Sequence, residues 1–100
     1  MRLLKPIVCT LSSAEIVDRA GQWQSIGQRY VQGITECEGG YVLTMRADKR
    51  VLDDVQRLVE AERRCCAWMT LDLQRGDPAT LRVTAESPEG VEVIKAIFGL

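Results

Sequence analysis

The residues of this sequence best suited to bind a metal ion or to react are its four cysteines, Cys9, Cys37, Cys65 and Cys66. The chain contains no histidine, which excludes imidazole bases, Ser/His and Cys/His catalytic pairs, and histidine-ligated metals. Ligation or proton transfer must therefore use thiolates and carboxylates. Thiolates bind soft ions such as Zn(II), Cu(I) and Hg(II), and they also act as nucleophiles and redox groups.

One carboxylate is predicted to lie beside the adjacent cysteines. On a helical wheel of about 100° per residue, the apolar residues of the predicted second helix fall in an arc of about 120°. Glu62 lies inside that arc, with Cys65 three and Cys66 four residues further along the helix. An ionised carboxylate is costly there unless it is paired, metal-bound or protonated. Glu62, Cys65 and Cys66 are therefore candidate metal ligands.

Cys9 is a fourth candidate ligand. It ends the first predicted strand, three residues before a predicted helix N-cap, where backbone N–H groups and the helix dipole favour a thiolate. Because neighbouring residues of a helix point about 100° apart, we expect Cys9 and one of Cys65 and Cys66 to share an ion more easily than both adjacent cysteines. The chain has no C-x₂-C spacing of the zinc-finger kind. Cys37 lies in a predicted hairpin strand whose side chains alternate between the two faces of the sheet. Since free cysteine is often buried, this position favours a packing role.

Composition limits the class of protein. With 100 residues, 46% of them hydrophobic and 27% charged, residues 1–100 are expected to form a single domain. A net charge of −1 gives no electrostatic reason to expect nucleic acid or an anionic membrane as a partner. The start lacks the pattern of a signal peptide, and no apolar run reaches the length of a membrane span. We therefore expect a cytoplasmic protein, in which thiols stay reduced.

Helix and strand signals predict an α+β fold. Ser12, Asp48 and Ser87 are predicted N-caps of three helices, of which the first two extend to about Val31 and Trp68. Alternating or apolar runs predict five strands, at 7–10, 34–38, 41–46, 70–74 and 81–85. The expected order is βαββαββα in a two-layer sandwich, with helices on one face of a mostly antiparallel sheet. Its first six elements match the ferredoxin-like plan.

The chain resembles a group of small uncharacterised bacterial proteins over nearly its whole length. The resemblance depends on Cys-Thr-Leu at 9–11, Glu62-x-x-Cys65-Cys66-x-Trp68 at the end of the second helix, and the Leu-x-Leu hairpin that follows. Cys9, Glu62, Cys65 and Cys66 match motif positions of the group, and Cys37 does not. Members often have proline and phenylalanine where Ala67 and Trp68 stand here, so the helix end is less sharply fixed. Genes of the group can lie near regulators of heavy-metal resistance, particularly mercury resistance. The resemblance therefore implies a metal or metalloid role for the thiols.

Three functional hypotheses follow. In the first, the protein binds a soft metal ion through Cys9, Glu62, Cys65 and Cys66. In the second, it is a thiol-based redox or nucleophilic enzyme, with Cys65 or Cys66 as nucleophile, Glu62 as proton acceptor and Cys9 as resolving thiol. In the third, it is a structural or interaction domain, in which the cysteines are packing residues and Glu62 forms a buried salt bridge. Whether the protein is an enzyme and which protein partner it has stay open.

Overall fold

The computed structural model describes residues 13–100, over which the order of elements is αββαββα. The elements are α1 (Ser13–Tyr30), β1 (Val31–Cys37), β2 (Gly40–Met45), α2 (Lys49–Cys65), β3 (Met69–Gln74), β4 (Ala79–Ala85) and α3 (Pro88–Phe98). The predicted first strand at 7–10, the predicted cap Ser12 and the candidate ligand Cys9 lie outside the described residues. Among residues 13–100, no helix has the length and apolar character needed to cross a membrane.

Two predicted helix starts are confirmed by their hydrogen bonds. Asp48 caps α2, and its side chain accepts hydrogen bonds from the N–H groups of Arg50 and Val51 at 3.0 and 3.3 Å. Ser87 caps α3 by accepting from the Gly90 N–H at 3.1 Å. Because each cap satisfies backbone donors that the first helical turn leaves unpaired, these starts are set locally by the sequence.

The sheet has the strand order β1-β2-β4-β3, with every neighbouring pair antiparallel. This order shows that the predicted ferredoxin-like plan is wrong, although the α+β class is confirmed. That plan places the first predicted strand between the strands that are β2 and β3 here, whereas β4 lies between them in the structure. The physical reason is burial. Ala79, Leu81 and Val83 of β4 are at most 1% exposed, as a strand with neighbours on both sides under the helical layer allows.

The core lies on one face of the sheet and under all three helices. Leu43, Leu71 and Leu81 contribute from the strands, and Trp23, Val55 and Ile94 are among the helix residues that join the same cluster. The expected two-layer arrangement therefore holds over the described residues. The opposite face is polar and includes Thr44, Thr70, Thr80, Arg82 and Thr84.

Cys37 lies away from the core and from the other described cysteines. It pairs with Gly40, which in turn pairs with Thr84, so Cys37 belongs to the polar outer face of the sheet. It is partly buried and lies outside the core cluster. The face on which Cys37 packs could not be predicted, because alternation along a strand does not reveal which of its two faces is covered.

The second helix ends three residues earlier than predicted. It stops at Cys65, and Cys66 has φ −127° and ψ 68°, outside helical values. The Met69 N–H then donates to the Cys66 carbonyl at 3.1 Å, which closes a short turn into β3. Both Trp68 and Met69 are buried, at 5% and 3% exposure. The turn allows these two consecutive residues to enter the core together.

Candidate metal centre

The structure brings together three of the four predicted ligands. The Sγ atoms of Cys65 and Cys66 and a carboxylate oxygen of Glu62 all lie within 4.8 Å of one another. The three residues are buried, with exposures of 1% for Glu62, 8% for Cys65 and 2% for Cys66. The fourth predicted ligand, Cys9, lies outside the described residues. We call Glu62, Cys65 and Cys66 the thiol-carboxylate cluster.

The end of α2 explains why two adjacent cysteines face the same point. Their sulfurs are 4.0 Å apart. Side chains of neighbouring residues in a regular helix point about 100° apart, and here Cys66 lies at the helix C-cap with a non-helical backbone, which is the local distortion that such a grouping requires. Metal–sulfur bonds of about 2.3 Å place two sulfurs about 3.8 Å apart in a tetrahedral site and about 4.6 Å apart in a linear one. The observed spacing is closer to the tetrahedral value.

Glu62 is held by two donors from α1. Its Oε1 atom accepts a hydrogen bond from Arg19 Nη1 at 3.0 Å and another from Trp23 Nε1 at 3.2 Å. Arg19 and Trp23 are one helical turn apart, so both reach the same oxygen from one face of α1. A buried salt bridge of Glu62 is what the third hypothesis predicts from the sequence, and the structure contains one between Glu62 and Arg19. It fixes the orientation of the carboxylate beside the two sulfurs.

Arg19 provides the positive charge of the site. Burial alone lowers the pKa of its guanidinium, but the hydrogen bond and Coulomb attraction from Glu62, with smaller contributions from Cys65, outweigh burial and raise that pKa. Arg19 therefore stays protonated beside the carboxylate and one sulfur. The exposed Arg63 and Arg64 instead donate to backbone carbonyls, those of Leu71 and Glu60.

Arg19 and the hydrogen bond from Trp23 to Glu62 are not among the residues and contacts predicted from the sequence. Trp23 is buried, at 2% exposure. A usable signal is present, because Arg19 lies one turn before Trp23 and therefore on the same side of the first helix. A positive charge there and a negative charge on the apolar face of the second helix favour pairing of the two helices.

An open groove connects the neighbourhood of the cluster with solvent. It has a volume of about 910 Å³ and runs between α1 and α2, with Arg19 and Ala61 among its lining residues. Arg19 thus lines the groove and also binds Glu62, and its side chain is 19% exposed. The Cys65 thiol donates to the Ala61 carbonyl at 3.1 Å. The groove therefore opens beside two residues that hydrogen-bond the cluster, although none of the three cluster residues is among those that line it.

The cysteines of the cluster also have a packing role. Cys65 and Cys66 both belong to the hydrophobic core, as expected from the tendency of free cysteine to be buried. Packing explains why small apolar side chains occupy these positions. Packing does not explain why the two sulfurs lie close to one carboxylate that is held in place by hydrogen bonds.

No protein-family model, no curated protein and no solved structure matches the chain. The chemistry of the cluster therefore provides the basis for a functional proposal.

We expect the Arg19→Met variant to lose about 2 to 3 kcal/mol of unfolding free energy. Removing one partner of a buried ion pair typically costs about 3 to 5 kcal/mol, and the partial exposure of Arg19 reduces that cost. The double variant Arg19→Met/Glu62→Leu should recover most of the loss, because no buried charge is then left unpaired. Urea unfolding of the two single variants and the double variant measures this coupling.

Arg64→Met is the matched control, because Arg64 is exposed and lies outside the cluster. It should change stability by less than about 0.5 kcal/mol, as is usual for surface substitutions. Equal stabilities of the Arg19→Met and Arg64→Met variants would contradict a structural role for the Arg19–Glu62 pair.

Proposed function

We propose that the protein binds one soft metal ion in the cytoplasm through Cys65, Cys66 and Glu62. The observation that carries this proposal is the grouping of two sulfurs and a carboxylate oxygen within 4.8 Å, inside the protein. Thiolates favour Zn(II), Cu(I) and Hg(II)-like ions, and a carboxylate is a common additional ligand of zinc.

Arg19 and Trp23 support metal binding by orienting the carboxylate. Groups that hold a ligand through hydrogen bonds commonly change metal affinity by about 10- to 100-fold when they are removed. Since Arg19 already balances the charge of Glu62, a divalent ion that replaces the protons of Cys65 and Cys66 alone leaves the net charge of this buried group unchanged, whereas a third thiolate from Cys9 would make it more negative by one. Burial of an uncompensated charge is costly, so this balance favours divalent ions.

Cys9 is proposed as the fourth ligand, as the sequence pattern suggests. Four protein ligands would give the closed tetrahedral site typical of structural or storage roles, whereas three would leave one position for an external ligand. The resemblance to bacterial proteins associated with mercury-resistance regulators is consistent with either arrangement. In both, binding weakens as pH falls because the thiols must lose their protons to bind.

The test is a metal titration of the fully reduced protein without oxygen. Zn(II), Hg(II) and Cu(I) are added in turn, and native mass spectrometry counts the ions retained in competition with a chelator. We expect one ion per chain, with the same affinity in the Cys37→Ser variant, since Cys37 lies on the outer face of the sheet. A Cys9→Ser variant should bind more weakly if Cys9 is a ligand. Failure of the wild-type protein to retain any of the three ions would refute the proposal.

A second candidate function is thiol redox chemistry at Cys65, favoured by the positive charge of Arg19 beside that sulfur. The Cys65 thiolate would attack a small-molecule disulfide and release one thiol. Cys9 or Cys66 would then attack the mixed disulfide, releasing the second thiol and leaving a protein disulfide. Mass spectrometry after exposure to glutathione disulfide tests this. Formation of a protein disulfide that requires Cys65 supports the candidate, and its absence contradicts it.

A further inference from the structure

The two sulfurs of the thiol-carboxylate cluster are placed to react with each other as well as with a metal ion. The Sγ atoms of Cys65 and Cys66 are 4.0 Å apart, beyond the end of the regular helix. A disulfide bond is about 2.05 Å long, so the sulfurs need to approach each other by only about 2 Å to form one. The end of α2 therefore makes this pair a dithiol that can be oxidised to a disulfide.

A disulfide between adjacent residues is easily reversed. The Cα atoms on either side of a trans peptide are about 3.8 Å apart, whereas those of ordinary disulfides are about 4.4 to 6.8 Å apart. A disulfide between Cys65 and Cys66 is therefore strained. Strained disulfides are readily reduced, and they are typical of regulatory sites. This pair is accordingly suited to a reversible change of state and not to a permanent cross-link.

A positive charge lies beside the Cys65 sulfur. Arg19 donates to the Glu62 carboxylate at 3.0 Å, and its guanidinium also has hydrogen-bonding and Coulomb interactions with Cys65. A neighbouring cation favours the thiolate, which is the nucleophilic form of cysteine. Cys65 is therefore the sulfur that we expect to react first, with Cys66 in position to complete the disulfide.

Burial limits the oxidants that can reach the pair. Cys65 is 8% exposed and Cys66 is 2% exposed. The groove between α1 and α2 is lined by Arg19 and Ala61, both of which hydrogen-bond the cluster. Hydrogen peroxide is neutral and little larger than water, whereas glutathione disulfide has the size of a peptide. The small exposure of both sulfurs therefore favours hydrogen peroxide as the oxidant.

We propose that hydrogen peroxide oxidises Cys65 and Cys66 to a disulfide between them, and that this reaction releases the ion bound to the cluster. The release step rests on the metal binding proposed above. Of the described ligands, only Glu62 then remains, because neither sulfur of a disulfide is a thiolate. Reduction of the strained disulfide restores the binding site.

The reaction has two steps. The Cys65 thiolate attacks one oxygen of the peroxide, so that an S–O bond forms, the O–O bond breaks, and a sulfenic acid and hydroxide result. Cys66 then attacks the Cys65 sulfur, so that the S–S bond forms and the S–O bond breaks, and the oxygen leaves as a second hydroxide. The two thiol protons convert both hydroxides to water. Two thiols are thus oxidised while one peroxide is reduced to two waters.

The first test treats the reduced, metal-free protein with hydrogen peroxide and then alkylates the remaining thiols. Trypsin releases residues 65–75 as one peptide, because arginine stands at positions 64 and 75. We expect this peptide to become lighter by two hydrogen atoms and to escape alkylation about tenfold faster than Cys37 does, since a cation and a second thiol lie beside Cys65. Dithiothreitol should restore both thiols.

Two variants assign the reaction to the pair. Cys66→Ser should leave Cys65 as a sulfenic acid that dimedone traps, because the second thiol is missing. Cys37→Ser is the matched control and should form the disulfide at the wild-type rate, since Cys37 lies on the outer face of the sheet. A peptide 65–75 that stays alkylated on both cysteines after Cys37 has been oxidised would overturn the proposal. A disulfide that joins this peptide to Cys9 or Cys37 would overturn it equally.

The second test follows the release of zinc from the loaded protein with a chromogenic chelator. Release should accompany disulfide formation, and zinc should bind again after treatment with dithiothreitol. Zinc that stays bound to the oxidised protein would contradict the release step. A protein that forms the disulfide but retains no metal ion when reduced would refute metal binding and release together, while the oxidation of Cys65 and Cys66 would stand.

Discussion

Replacing both Cys65 and Cys66 by serine is expected to weaken Zn(II) or Hg(II) binding by on the order of a thousandfold, equivalent to about 4 kcal/mol. Loss of groups that merely orient a ligand costs about 10- to 100-fold, and here two direct ligands are removed. The two sulfurs are 4.0 Å apart and both lie beside the Glu62 carboxylate. Serine keeps the approximate size of the side chain but replaces a soft sulfur donor by a hydroxyl. Competition titrations against a chelator of known affinity measure the change.

Two further variants separate lost ligation from lost folding. Cys37→Ser removes a thiol outside the cluster and should bind like the wild-type protein. Cys65→Ala/Cys66→Ala avoids placing hydroxyl groups in the core and should lose the same affinity as the double serine variant. Thermal melts of the metal-free proteins confirm folding. Binding by both folded double variants at wild-type strength would eliminate the two cysteines as ligands.

Gly40→Ala is expected to lower the unfolding free energy by about 3 to 5 kcal/mol, at the upper end of single-residue effects. Gly40 begins β2 and lies between Cys37 of β1 and Thr84 of β4. An alanine Cβ at this position would overlap the Val83 carbonyl oxygen and lie 2.9 Å from the Thr84 Cα atom. Both contacts are with backbone, which cannot move aside without separating β2 from β4. Urea denaturation monitored by circular dichroism measures the loss.

Gly21→Ala is the matched control for this substitution. Gly21 is exposed in the interior of α1, and an added Cβ would meet nothing within 4 Å. Because alanine has a higher helix propensity than glycine, Gly21→Ala should raise stability by about 0.5 to 1 kcal/mol. The same chemical change is thus expected to have opposite signs at the two positions. A stable Gly40→Ala protein would show that the close approach of β2 and β4 is readily relaxed.

Local signals predicted much of this fold because they depend on residues close in sequence. Asp48 and Ser87 cap their helices through hydrogen bonds to residues two or three positions away. The predicted strands at 34–38 and 41–46 form the first hairpin. Gly39, with φ 79°, lies in its turn, whereas Gly40 belongs to β2 and makes the close contact with β4. Turn geometry can be inferred locally, whereas the nearness of β4 cannot.

The spacing of Glu62, Cys65 and Cys66 also allowed their grouping to be predicted from the sequence. Residues three and four apart share a helix face whatever the rest of the chain does. The distance between the adjacent sulfurs could not be predicted from the wheel, which assumed a regular helix that continues to Trp68. The structure ends the helix at Cys65, and the changed backbone of Cys66 lets both sulfurs face the carboxylate.

The sequence by itself thus determined the elements of residues 13–100, the α+β class and the neighbourhood of one buried carboxylate and two thiols. Tertiary structure decided that β4 lies between β2 and β3 and that Arg19, 43 residues away, pairs with Glu62. The reason is that caps, turns and helical spacing act over a few residues. The partner of a buried charge depends instead on which surfaces meet when helices pack on the sheet, and many pairings satisfy the same apolar pattern.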